Sequence, residues 1–263
     1  MTIRQDWVNG KSNDDQVLAE TSKLKGSKKG RNLFIITGHY AVQHCDYLAM
    51  AARPNMDTMI LNFGYLLPGS EKFTWMFHGS MGYTKSFNAC VTFKYFQREF
   101  KGNHVFMCTT RHCAGGLYPI APKKSVITTL KNNKIDNFYI ATHAYAKKGL
   151  AYVPEAMNHY SPAHIPYGCG GSFNAMALPF ALQLGYDNIY VLGIGSKFST
   201  HFYDVDWVQG RQCVLNSPHK SLTLTRYGRL NALAKKSGTK IVVMPRKYIE
   251  PEIAKIFPTI EKL

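Results

Sequence analysis

Gly170-Gly171-Ser172-Phe173-Asn174-Ala175-Met176-Ala177-Leu178-Pro179-Phe180-Ala181-Leu182-Gln183-Leu184-Gly185-Tyr186-Asp187-Asn188-Ile189-Tyr190-Val191-Leu192-Gly193-Ile194-Gly195 is the stretch that decides the fold. It reads as a glycine-rich turn, a helix over 174–184 and a buried strand over 188–192 that ends at another glycine. A turn, a helix and a strand of that combined length make about one crossover unit of a parallel sheet. In such sheets, ligands bind where strands end and helix N-termini begin.

Outward from this unit the same alternation recurs. Short apolar runs rich in β-formers lie at 33–36, 58–62, 73–77, 104–108, 137–140 and 240–244, with helical stretches at 42–52 and 222–236. Strands alternating with helices predict an α/β fold, a mostly parallel twisted sheet with helices on both faces. Unbroken runs such as 189–192 suit strands buried on both sides. The region 146–168 holds Tyr152, His159, Tyr160 and His164 among prolines and reads as a lid-like insertion over a site. Residues 1–31 are polar and lysine-rich and read as a flexible basic arm, leaving 32–263 as a single domain.

Charge is the unusual part of the composition. Among 263 residues, 32 Lys and Arg stand against 16 Asp and Glu, a formal charge of +16. Such a field favours polyanionic partners and says nothing of the fold. From Lys220 to Lys247 there is no carboxylate, and Lys220, Arg226, Arg229, Lys235 and Lys236 line one predicted helix as a nucleic-acid-binding face. The six cysteines show no paired spacing, so reduced thiols and a cytoplasmic location are expected. Cys108, His112 and Cys113 lack a second ligand pair, and no metal is expected. No apolar run reaches the roughly 20 residues that a membrane helix needs, so no membrane span is expected.

Several short motifs bear chemistry-capable groups. Thr37-Gly38-His39 follows the first strand and offers backbone N–H groups to a phosphate. It is neither a dinucleotide fingerprint nor a P-loop. Ser172 caps the 174–184 helix or, with Asn174, holds a ligand oxygen. His201 and Tyr203 lie on a loop after the strand that ends at Gly193. His219 precedes the last basic helix, and a histidine titrating near neutrality is able to act as a base.

In order, these pieces resemble the bacterial sialyltransferases that use CMP-sialic acid and the related Rossmann-like motility-associated flagellin glycosyltransferases. The likeness is carried by Gly170-Gly171-Ser172, Leu184-Gly185-Tyr186, Ile189-Tyr190, Leu192-Gly193-Ile194 and His201-Phe202-Tyr203-Asp204. Leu61-Asn62-Phe63-Gly64-Tyr65, Phe77-His78-Gly79-Ser80 and Met107-Cys108-Thr109-Thr110 echo it. The resemblance implies a nucleotide cradled by Thr37, Gly38 and Asn62 and a donor site lined by Gly171 and Ser172; by their own chemistry and position His39, Asn174, Lys197 and His201 are expected to join the substrate-binding set. It further implies that Tyr203 assists the departing phosphate and that His219 is the general base; the reaction expected from these groups is an inverting, metal-independent transfer. The chain departs from that family: the first turn lacks Asn-Gly-Pro-Ser, Gly195 stands where an acidic residue is common, and Lys197 stands where a tyrosine is. An arginine expected shortly before Gly171 is also missing. The basic charge points to DNA as acceptor, as in a viral enzyme that glycosylates hydroxymethylated bases. A glycan-directed transferase and a non-catalytic nucleic-acid-binding protein on the same fold are the alternatives.

Overall fold

The computed structural model describes residues 1–61, 64, 66–78, 100–107, 127, 130–144, 160–166, 173–194 and 220–263. Among them, eight strands form one sheet: β1 (Asn32–Ile36), β2 (Met56–Leu61), β3 (Trp75–His78), β4 (Asn103–Met107), β5 (Phe138–Ala144), β6 (His164–Pro166), β7 (Asn188–Leu192) and β8 (Lys240–Met244). All neighbours are parallel, in the order β6-β5-β4-β3-β2-β1-β7-β8. The α/β, Rossmann-like expectation therefore holds.

Both sheet faces are covered, which is why the strands read as unbroken apolar runs. Leu33 and Ile35 of β1, Trp75 and Phe77 of β3, and Val191 of β7 face the helices Leu178–Leu184 and Lys220–Lys236. Phe34, Ile36, Ile60, Met76 and Leu192 face the other way, onto Val42 and Met50 between β1 and β2. The helix before β7 begins as a π turn, Phe173–Ala177. Pro179 has no N–H to donate to Ala175, so the ordinary i→i−4 ladder is interrupted there.

Three expectations are corrected. The helix over 42–52 is broken into a 3-10 turn (Tyr40–His44) and a short helix (Tyr47–Ala51), because the Asp46 carboxylate accepts the Ala49 N–H and starts a new helix. Residues 160–166 of the lid region supply β6 at the sheet edge; 146–159 and 167–168 lie outside the described residues. Residues 1–31 are a docked helical hairpin and not a flexible arm. Its helices Ile3–Val8 and Asp14–Ser22 are capped by Thr2 and by a reciprocal Asn13–Gln16 capping box. Trp7, Val8, Val17 and Leu18 are buried against Phe106, Phe138 and Ile140. The connection to β1 bonds to the helix before β7, Gly26 N–H to the Gln183 carbonyl and Lys28 N–H to that of Leu184.

The basic residues of that connection are partly committed at the N-terminal edge of the sheet. Lys28 Nζ lies 3.0 Å from Asp57 Oδ2, Arg31 pairs with Asp57 Oδ1, and the Tyr186 hydroxyl donates to Oδ2 at 2.8 Å. Trp75 Nε1–H donates in turn to the Tyr186 oxygen at 2.9 Å. Burial by itself pushes the Asp57 carboxyl up, but the bonds from Arg31, Lys28 and Tyr186 outweigh it and hold it below the usual carboxylate range.

Candidate functional site

Strands β2 to β6 are added successively to one side of β1, and the chain then crosses back to place β7 on its other side. The order reverses between β1 and β7, and the crevice at their C-terminal ends is where ligands of such sheets bind. Thr37, Gly38 and His39 stand on the β1 side, and Gly193 and Ile194 on the β7 side.

This seam is tightly built. Thr37 N–H donates to the Leu192 carbonyl at 3.1 Å, and its hydroxyl reaches the carbonyls of Leu192 at 3.1 Å and Gly193 at 2.5 Å. Gly193 N–H continues the ladder to Met244 O at 3.1 Å. His39 Nδ1 accepts the Ala41 N–H at 2.9 Å and so starts the 3-10 turn. With Nδ1 an acceptor, the neutral ring carries its proton on Nε2. Gly193 sits at φ +88°, and a Cβ there would meet His39 Cβ at 2.7 Å and Thr37 Oγ1 at 2.8 Å. The Thr37 hydroxyl thus clamps the two strand ends together, while half-buried Gly38 presents backbone at the crevice.

Asn174 stands at the opening of the helix that runs back from this edge. It is 4% exposed, and its Oδ1 accepts no hydrogen bond from the described residues. A buried acceptor left open is a position that water or a ligand donor would satisfy. Asn62, Gly171, Ser172, Lys197, His201, Tyr203 and His219 lie outside the described residues. Of the basic helix, Arg229, Lys235 and Lys236 are exposed, whereas Arg226 is 3% exposed and does not join them; Lys220 opens the helix. Of the aromatic and histidine residues expected in the lid, Tyr160 packs partly buried against the core and His164 belongs to β6.

Sequence reasoning missed a cluster at the same sheet edge. Tyr40 and His44, from the turn after β1, meet Tyr248, from the 3-10 turn Arg246–Tyr248 after β8. Arg246 and Lys247 were legible as charge, but nothing local pairs them with rings from the first turn of the domain. Among the described residues, no group of three or more His, Cys, Asp or Glu is gathered as a metal site, and no helix is long and apolar enough to cross a membrane. No protein-family model matches this sequence, and no curated protein matches it either.

Proposed function

We propose that this chain is a nucleotide-sugar-dependent glycosyltransferase whose donor lies in the crevice between the C-terminal ends of β1 and β7. The observation that carries the reading is the reversal of strand order at that crevice, edged by a small-residue turn, Thr37-Gly38-His39, and by Gly193. In the proposed reaction His219 takes the proton of an acceptor hydroxyl, whose oxygen attacks the anomeric carbon with inversion. The bond from that carbon to the donor phosphate breaks, and the nucleotide leaves with the electron pair. Tyr203 donates a hydrogen bond to the departing phosphate, and Lys197 and the helix opening at Ser172 offset its charge. The transition state resembles an oxocarbenium ion, so stabilising the leaving group outweighs strengthening the nucleophile. The sequence carries one Asp-x-Asp spacing, Asp204-Val205-Asp206, outside the described residues; the reading gives it no metal to hold and is metal-independent.

The acceptor in this reading is DNA carrying hydroxymethylated bases. The +16 charge and the exposed Arg229, Lys235 and Lys236 support a duplex held through its phosphates. The test is mass spectrometry of nucleosides after incubation with hydroxymethylated DNA and a panel of UDP-, CMP- and GDP-sugars. A sugar-sized mass gain on one nucleoside, abolished in His219→Ala with DNA binding retained, is the expected result. No gain with any donor, on DNA that the protein binds, would replace the enzyme by a binding protein. No gain and no binding would move the acceptor to a glycan.

A further inference from the structure

Two turns distant in sequence meet at the C-terminal edge beside the crevice, because β7 alone separates β1 from β8. The Tyr40 and His44 rings lie edge to face with centroids 4.6 Å apart. Tyr248 completes the group, 5.7 Å from His44 and 6.5 Å from Tyr40, the latter again edge to face. Tyr40 therefore stacks flat on neither neighbour. Tyr40 and Tyr248 are half-buried and His44 is exposed, so the cluster is anchored at its base and open to solvent.

Two cations share the turn that carries Tyr248, and one of them lies over its ring. Lys247 Nζ lies 4.9 Å from the Tyr248 ring centroid. The exposed Arg246 guanidinium is held in place by neutral partners, Nε to Thr259 Oγ1 at 3.2 Å and Nη2 to the Thr259 carbonyl at 2.7 Å. The Glu261 carboxylate accepts the Lys247 backbone N–H at 3.2 Å and leaves one negative charge beside the two cations. Neither Arg246 nor Lys247 forms an ion pair with the described residues, whose ion pairs join Arg4 to Glu20 and Lys28 and Arg31 to Asp57. A half-buried and an exposed ring from one turn, a second tyrosine under an ammonium, and a guanidinium positioned two residues before that tyrosine match the chemistry of a nucleotide: a flat π-face beside a phosphate.

We propose that Tyr40, His44 and Tyr248, with Arg246 and Lys247, form a docking platform for unpaired nucleotides of a nucleic-acid strand. The rings take a base, and the two cations take the phosphates next to it. This rests on the reading of DNA as acceptor and deepens it, since a base held out of the duplex beside the crevice is the form in which an enzyme reaches it. Aromatic stacking tolerates any base, so the platform selects for unpaired strand and not for sequence.

The test is fluorescence anisotropy with labelled single-stranded DNA of about ten nucleotides, comparable to one single-strand binding site. The matching duplex and unlabelled dTMP serve as competitors across a salt series. Wild-type protein is expected to prefer the single strand. Tyr248→Leu, which keeps bulk and loses the π-face, should weaken binding roughly 5- to 150-fold, while Tyr248→Phe retains it. Arg246→Gln with Lys247→Gln, both on the surface, should reduce the slope of log affinity against log salt by about 1.4. Wild-type binding that Tyr248→Leu and the double variant leave unchanged would overturn the platform alone. Competition by dTMP as strong as by the oligonucleotide would overturn it in favour of a free-nucleotide site. Wild-type protein that binds no strand would overturn the DNA reading itself.

Discussion

Gly193 sits where no other residue type fits. Its φ of +88° is left-handed, and the space a Cβ would take is already filled by His39 and by the Thr37 hydroxyl that ties β1 to β7. Gly193→Ala is expected to lose more than the ~1–2 kcal/mol of the left-handed backbone, because the clasp must also open. Urea unfolding reads the loss, and an unchanged midpoint would show that the seam yields without strain. His78 and His104 carry a second consequence at this scale. Both are 1% exposed, with Nε2 of one 3.2 Å from Nδ1 of the other, packed on Phe106 and edged by Phe100. Burial lowers His78 well below the ordinary histidine value and brings His104 down to about 4. Above about pH 6.5 both folded and unfolded chains hold these rings neutral. As the pH falls through that value the unfolded chain binds protons that the folded chain refuses, and stability drops until the folded rings also titrate. Each ring contributes about 1.4 kcal/mol per pH unit inside that window. A His78→Phe, His104→Phe double variant is expected to flatten unfolding midpoints measured between pH 7 and pH 4, and an unflattened profile would place the acid sensitivity elsewhere. Asp57 acts lower down: its depressed carboxyl adds stability above the ordinary carboxylate pKa, lost as pH falls through the folded value.

Among elements, the N-terminal hairpin shows how a polar average conceals a docked structure. Its two helices spread Trp7, Val8, Val17 and Leu18 among charged residues, so composition reads as solvated tail while each apolar side chain finds β4 or β5. Trp7 is 1% exposed and its ring centroid lies 5.7 Å from that of Phe138. Trp7→Ala is accordingly expected to destabilise by about 3–5 kcal/mol, as for other buried aromatics. Thermal unfolding that shows a loss near zero would return the hairpin to the status of a loose arm. The longer strands, by contrast, were legible in place, β2 and β3 to within two residues and β7 and the edge strand β8 to the residue. β7 and β8 begin and end where the apolar runs do, because burial on both faces leaves no polar alternation to blur them. β6 escaped notice because three residues that include a proline give no periodicity. The break at Asp46 went unseen because one capping bond decides it and the apolar spacing around it stays helical.

For the molecule as a whole, the topology was legible as a class while its strand order was not, since order depends on which faces meet across long separations. The same limit governs the site. The turn 37–39 was readable as a strand end opening onto a helix, because that signal is local. Its clasp onto Gly193, and the meeting of Tyr40 and His44 with Tyr248, exist only once β1, β7 and β8 lie side by side. That order has a bearing on how the chain is made. β1 is the first strand to be synthesised, yet it belongs in the middle, and Asn32 waits for a neighbour 156 residues further on. A ribosome adds roughly 5–20 residues each second, so on the order of ten seconds pass with one side of a flat, apolar ribbon bare. The nascent protein is open throughout that interval to pairing with another copy of itself, and a chaperone that shields extended backbone has its greatest value before residue 192 leaves the tunnel.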